Sequence, residues 1–227
     1  IFFQELRDLN NILLLISISR ILVADSKIVK LFKEHHVKKV LDLGSGTGRH
    51  VIYLAQNDFD VYGIDIAQKG IEITKDWLKK ENLKANLTTG SFYQQLPYAD
   101  NFFDAIISTS AIHHAKIDEI RKAIHEIERI LKPKGLIFIV VRKRKFRNWS
   151  KSKIVEKYGK QKTNYQVIAD RTYIPIEGGE KGLPHYLFNK ELLKITTIVE
   201  NIISNHAPIY RPYGLICVMY IFPLKVL

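Results

Sequence analysis

The chain has 227 residues, 46% of them hydrophobic, one cysteine and a formal net charge of +12. That length suffices for one α/β domain with a sizeable core plus a small insertion, so a second domain is unnecessary. The lone Cys217, in an apolar strand-like run, excludes an internal disulfide framework and fits a reducing, cytoplasmic setting.

Near the N-terminus the longest apolar stretch, Ile12 to Ala24, is interrupted by Ser17, Ser19 and Arg20. It is too short for a membrane span and reads as an amphipathic helix laid on a sheet, within an N-terminal helical segment 1–37. Glu5, Arg7 and Asp8 precede it and no small-residue cleavage site follows, so no export signal is expected. The absence of an initiator Met suggests that the true start lies elsewhere.

Val40-Leu41-Asp42-Leu43 is a short apolar run that stops at glycine, the pattern of a buried parallel strand. Gly44-Ser45-Gly46-Thr47-Gly48 follows as a loop, Arg49 to Gln56 has helical spacing, Asn57-Asp58 breaks it, and Val61 to Ile64 is a second strand ending on Asp65. Loop glycines let the backbone approach a ligand, and the following helix offers unpaired N–H groups to an anionic end. An acid at the tip of the second strand accepts hydrogen bonds from ribose hydroxyls, so adenosine is the expected ligand core. A dinucleotide loop would place its third glycine at position 49, where Arg49 stands.

The acid-x-Gly-x-Gly-x-Gly run from Asp42 to Gly48 instead resembles the class I S-adenosylmethionine-dependent methyltransferases. The resemblance implies a Rossmann-like α/β fold, a doubly wound, mostly parallel sheet with an antiparallel C-terminal strand and helices on both faces. It implies S-adenosylmethionine as cofactor and S-adenosylhomocysteine as product. Gly44, Gly46 and Gly48, with Ser45 and Thr47 between them, would meet the methionine and ribose portion, Asp42 would help hold the ammonium, and Asp65, with Ile66 beside it, would bind the ribose.

Downstream, Lys69 to Glu81 is a helix, Ala85 to Thr89 a third strand, and Gly90-Ser91-Phe92 the turn after it. In the resembled family this turn carries an acid for the adenine amino group. Ser91 stands in its place, and Phe92 is expected to pack on the ring. Phe103 to Ser108 is the fourth strand, which puts Ser108, Thr109 and Ser110 at the carboxyl edge where open parallel sheets bind ligands. Ile117 to Leu131 is a helix, the Pro133–Gly135 turn ends it, and Leu136 to Val141 is the fifth strand. "FDAIIST" and "LKPKG" also match the family pattern, and the resemblance spans about residues 38 to 141.

His113-His114 lies between the fourth strand and this helix. Neighbouring histidines cannot both face one site in a regular element, so no metal site is expected. His113 is the candidate proton acceptor, with Tyr93 as its companion on the catalytic side. Arg171, His185 and Tyr186 are candidates for substrate binding. No compact catalytic motif appears, because an activated methyl needs mainly positioning.

Residues 142–188 read as a substrate-side insertion over the cofactor mouth, followed by a helix at Asn189 to Val199 and an apolar strand at Leu215 to Leu224. Arg142 to Lys162 holds ten Lys or Arg against one acid, Glu156, with Phe146 and Trp149 interleaved. Such a surface is either a solvated face or a grip on phosphates and bases. A small-molecule methyl acceptor is the first expectation. The alternative is RNA bound through 142–162, because "AIISTSAIHHAKIDEI" also resembles the tRNA wobble-uridine methyltransferases. A non-catalytic cofactor-binding protein is the third reading, and no membrane partner is expected.

Overall fold

In the computed structural model, residues 28–142, 154–158, 161–188 and 215–221 are described. In chain order they form the helical run 28–34 (α1), β1 Lys39–Leu43, α2 Arg49–Ala55, β2 Asp60–Asp65, α3 Gln68–Lys80, β3 Asn86–Thr89, β4 Phe103–Thr109, α4 Ile117–Ile130 and β5 Leu131–Arg142. β6 Ile154–Tyr158, β7 Gln161–Ala169, β8 Thr172–Pro175, β9 His185–Tyr186 and β10 Leu215–Ile221 follow. The central sheet has the order β10-β5-β4-β1-β2-β3. Every pair in it is parallel except β10 with β5, where Leu215 stands opposite Arg142 and Ile221 opposite Leu136.

Alternation along the strands divides the core between the two faces of this sheet. Leu41, Leu43, Ile106, Ile137 and Val141 pack with Ile120, Ala123 and Ile127 of α4. Val40, Val61, Ala105, Ile107 and Phe138 face the other way, onto Ile28 and Phe32 of α1, Val51 and Ile52 of α2 and Leu78 of α3. Helices therefore cover both faces, and because β1 and β4 are neighbours their carboxyl ends open side by side at the point where strand order reverses.

Two expectations need correction. The fifth strand begins at Leu131, directly after α4, and not at Leu136. Leu131 is fully buried and pairs with Phe103, whereas Leu136 pairs with Ala105, so Lys132 to Gly135 bulge out between two ladder pairs, with Lys134 at φ 65. The 142–188 insertion is also more than a loop, since β6 to β9 form a separate four-stranded antiparallel sheet in the order β6-β7-β8-β9. Tyr165 and Tyr173 meet edge to face at 4.8 Å in its small core, and Tyr186 and Phe188 join the main core. The expected helices at Ile12 to Ala24 and Asn189 to Val199 lie outside the described residues, as do Phe146 and Trp149.

Arg129 on α4 fixes the entry to β4. Its guanidinium donates to Glu126 Oε1 and Oε2 (3.0 and 2.7 Å), Asp100 Oδ1 (2.9 Å) and the carbonyls of Leu96 and Tyr98 (3.1 and 2.7 Å). These hydrogen bonds from Arg129 hold the Glu126 carboxyl below its ordinary range. A carboxyl with a depressed folded pKa contributes stability that is present above its unfolded pKa and is lost as pH falls through the folded value. Arg129→Ala is therefore expected to lower unfolding free energy by about 2 kcal/mol at pH 7, with a deficit that shrinks below about pH 4. Urea unfolding of both proteins at the two pH values measures this, and a deficit independent of pH would contradict the assignment.

Candidate functional site

The β1–α2 loop turns on three glycines in left-handed conformation, Gly44, Gly46 and Gly48, at φ 77, 57 and 84. They serve different ends. A Cβ on Gly44 would collide with the Cβ of Ala111, and one on Gly48 would collide with Thr74. Those two glycines bring the loop against its neighbours, whereas a Cβ on Gly46 would meet nothing within 4 Å. Gly46 is where the backbone faces open space.

Asp65 at the tip of β2 holds that loop. Its Oδ2 accepts from the Gly46 N–H at 2.7 Å and its Oδ1 from the Ala67 N–H at 2.8 Å. A carboxylate has about four lone-pair sites, so two backbone donors leave capacity for two hydroxyls of a ligand. Next to it Ile66 is 75% exposed, the most exposed large hydrophobic side chain among the described residues. Exposed Thr47, buried Ser45 beside Gly63, and Asp65 thus surround the open face of Gly46.

Across the cleft, Phe92 is buried, and its ring lies 3.3 Å from the position a Gly44 Cβ would take. Ser91 Oγ accepts from Tyr93 N at 3.3 Å within its own turn. Tyr93 Oη donates to Ala111 O at 3.2 Å, and burial, then the charge of Glu119, raise its pKa well above the ordinary phenol value. Tyr93 is consequently a hydrogen-bond donor at any working pH and not a base. Ser108 is fully enclosed, and its hydroxyl donates to Leu43 O at 3.1 Å, tying β4 to β1. The chain leaves β4 through Ser110 in a left-handed conformation, φ 58, a strained backbone at a strand tip facing the loop.

Beneath the loop lies a group that the sequence reading passed over. His50, the second residue of α2, has Nε2 3.0 Å from Arg49 Nη2 and Nδ1 3.1 Å from Thr109 Oγ1. Arg49 can only donate, so Nε2 accepts and Nδ1 carries the proton. Asp42, fully buried, has its Oδ2 3.9 Å from that Nδ1. Desolvation, then the Arg49 charge, lower the His50 pKa to about 3, so the contact with Asp42 is that of a neutral ring and not a salt bridge. The sequence signal was a histidine two residues after the last glycine, a position with no recognised motif.

The pH consequence has a definite sign. A histidine kept neutral in the fold binds its proton more readily when unfolded, so stability falls as pH drops below the unfolded value near 6.5, down to the folded value. Between pH 7 and pH 5 His50 should remove about 2 kcal/mol of unfolding free energy. His50→Gln is expected to be less stable at pH 7 but to lose about 2 kcal/mol less over that interval. Equal losses in denaturant titrations of parent and variant would refute the buried neutral ring.

The other candidate residues gather on the opposite side. His113 is 1% exposed, with its ring centroid 4.2 Å from that of half-buried His114. The Tyr186 N–H donates to His113 O at 2.8 Å, which fastens β9 to the loop after β4 and brings the His185 ring to 4.6 Å from that of His114. Arg171, at φ 54, donates from Nε to Leu187 O at 2.6 Å and closes the β7–β8 turn over the same strand. Tyr186 is buried in the main core. The structure therefore brings His113, His185 and Tyr186 together, with Arg171 bracing them. No helix among the described residues is long and apolar enough to cross a membrane.

Residues 40–135 match a family model described as a methyltransferase domain. Over 104 residues the chain is 36% identical to the tRNA (carboxymethyluridine(34)-5-O)-methyltransferase of Arabidopsis thaliana, covering 45% of this chain and 23% of that protein. It is 31% identical over 103 residues to the demethylmenaquinone methyltransferase of Tropheryma whipplei (strain Twist), covering 45% and 41%. An S-adenosylmethionine-dependent methyltransferase from Clostridium acetobutylicum ATCC 824 has a similar fold, with a TM-score of 0.64 at 11% identity over 88% of this chain and 90% of that one. The chain spans half or less of the length of the curated relatives it matches.

Proposed function

Since this chain carries a methyltransferase domain of the class I, S-adenosylmethionine-dependent fold, we propose that it transfers a methyl group from that cofactor to a nucleophile of a small-molecule acceptor. The observation that carries the reading is the open face of Gly46 between the Asp65 carboxylate and exposed Ile66. An adenosine needs a backbone free of side chains, an acceptor for its hydroxyls and an apolar cover for its base, and these residues fit each requirement.

When bound, the cofactor supplies a methyl already activated by its sulfonium. The protein's own part is to orient. Asp65 would take the ribose hydroxyls, Ile66 and Phe92 the adenine side, and the loop backbone the methionine portion. Tyr93 stays protonated and gives its one O–H to Ala111 O, which ties it to the loop after β4, while buried His113 has 1% exposure. An acceptor whose nucleophile carries no proton at neutral pH suits that arrangement, because positioning alone supplies several orders of magnitude in rate. The single cysteine fits a cytoplasmic setting.

RNA is the second reading, favoured by the ten cations of Arg142 to Lys162 together with the tRNA methyltransferase among the relatives. The relatives' shared half is the cofactor half, which does not choose an acceptor. Calorimetric titration with S-adenosylhomocysteine and with NAD tests the cofactor, and comparable affinity for NAD would sink the reading. A labelled-methyl screen of fractionated small molecules and RNA, with a salt series of tRNA binding, tests the acceptor. Tight, salt-steep binding of one tRNA and its methylation would replace the small molecule.

A further inference from the structure

We propose that His113, His114 and His185, completed by Glu180, form a site for one divalent transition-metal ion of the zinc class, fastening the inserted sheet to the loop after β4. This goes beyond the methyltransferase reading and does not rest on it. Three residues from two distant segments contribute one ring nitrogen each, and these atoms all lie within 4.8 Å of one another. Neighbouring side chains are kept apart only in a regular element. Residues 111–116 instead form turns between β4 and α4, and there the His113 and His114 rings sit 4.2 Å apart.

His185 shows the orientation expected of a ligand. Its Nδ1 lies 2.8 Å from Leu183 O, so that nitrogen carries a hydrogen and donates to a backbone carbonyl, as metal-bound histidines commonly do with the nitrogen that faces away from the ion. Nε2, 3.1 Å from Glu180 Oε2, shares its hydrogen with that carboxylate, and an ion bound there would take the place of that hydrogen between the two. Two ligands of one tetrahedral zinc, each bonded at about 2.0–2.1 Å, are about 3.3 Å apart, so this pair is already at ligand separation. The remaining ring nitrogens would close by up to about 1.5 Å to reach the same spacing.

Ligand chemistry narrows the ion. Three imidazoles and one carboxylate suit zinc or its first-row neighbours and do not suit calcium or magnesium, which take oxygen ligands. His113 and His185 are each 1% exposed and the Tyr173 ring stacks on His185 at 5.0 Å, which shields the imidazole side, while the Glu180 side chain is 45% exposed and meets solvent. Three clustered imidazoles, with the Glu180 carboxylate able to close on them from the solvent side, describe a structural site with four protein ligands. Its product would be a cross-link between β9 and the β4–α4 loop, next to the Tyr186 N–H to His113 O hydrogen bond.

The test uses the tag-free chain, stripped with a chelator and titrated with Co²⁺. One Co²⁺ per chain with the intense visible bands of a tetrahedral site, displaced by Zn²⁺, is the expected result, together with a thermal midpoint that rises on adding Zn²⁺. His114→Ala and His185→Ala should each weaken Co²⁺ binding by more than about tenfold. Circular dichroism and S-adenosylhomocysteine binding on the same samples report whether the variants fold, and if His185→Ala does not fold, His114→Ala decides alone. Absence of stoichiometric Co²⁺ binding by the parent, or unchanged bands in a folded His114→Ala, overturns the proposal. Metal binding without cofactor binding in the parent would leave this site standing and remove the methyltransferase reading instead.

Discussion

Gly44→Ala is expected to destabilise the domain by about 3 kcal/mol or more and to bring cofactor binding below detection. Two causes add at this position. At φ 77 any Cβ sits in the left-handed region, which costs about 1 kcal/mol by itself. The new methyl would also occupy the place of the Ala111 side chain, with the Phe92 ring 3.3 Å away, so the loop after β4 must move. Ala111 O accepts the Tyr93 hydroxyl, and Ser110 before it is already strained, so that movement would spread through the mouth of the cleft. Gly46→Ala is the control. Nothing lies within 4 Å of its Cβ, so stability should fall by only about 1 kcal/mol while ligand binding still suffers. Urea unfolding and calorimetry with S-adenosylhomocysteine separate the two, and a Gly44→Ala protein as stable as the parent would show that Ala111 is not fixed.

Asp65→Ala should weaken binding of the same ligand by about 2–3 kcal/mol, roughly thirtyfold to more than a hundredfold. The carboxylate has two tasks. It accepts the Gly46 and Ala67 N–H groups, which shapes the loop before any ligand arrives, and its remaining lone pairs are the acceptors for a ribose. Removal leaves a loop donor without its partner as well as a ligand hydroxyl. Asp65→Asn retains one acceptor oxygen and should fall between Ala and the parent. Calorimetry on the three proteins checks the ranking, and equal affinities would mean that Asp65 serves only the loop.

The cofactor half was legible in the sequence because its signals are local. Gly44 to Gly48, the break at Asn57-Asp58 and Asp65 each act within a few residues, and the predicted helix at Lys69 to Glu81 differs from the observed Gln68–Lys80 by one position at each end. What differs among the three glycines was not legible. That Gly44 and Gly48 pack on Ala111 and Thr74, leaving Gly46 open, depends on chain 26 or more residues away. The start of β5 was misplaced because Pro133 and Gly135 read as a stop, whereas Leu131 already pairs with Phe103 in the sheet. The inserted sheet was hidden by composition. Its first two strands carry Glu156, Lys157, Lys162 and Asn164 before Tyr165, and pairing supplies a period that polar residues conceal. The histidine cluster needed the fold, since His185 meets His113 and His114 only through the register of β9.

The antiparallel pairing of β10 with β5 also sets an order of events during synthesis. Arg142 waits for Leu215, 73 residues later, and Leu136 waits for Ile221, 85 residues later. A nascent chain that has emerged from the ribosome as far as residue 188 would present the glycine loop, Asp65 and the whole inserted sheet, yet one edge of β5 would offer a row of unsatisfied backbone groups to any passing strand. Closing a loop of that length makes the final ladder the slow, exposed step of folding. Translation speed between residues 142 and 221, and chaperones that cover strand edges, should therefore govern the yield of native protein more than the local turns of the half that binds the cofactor.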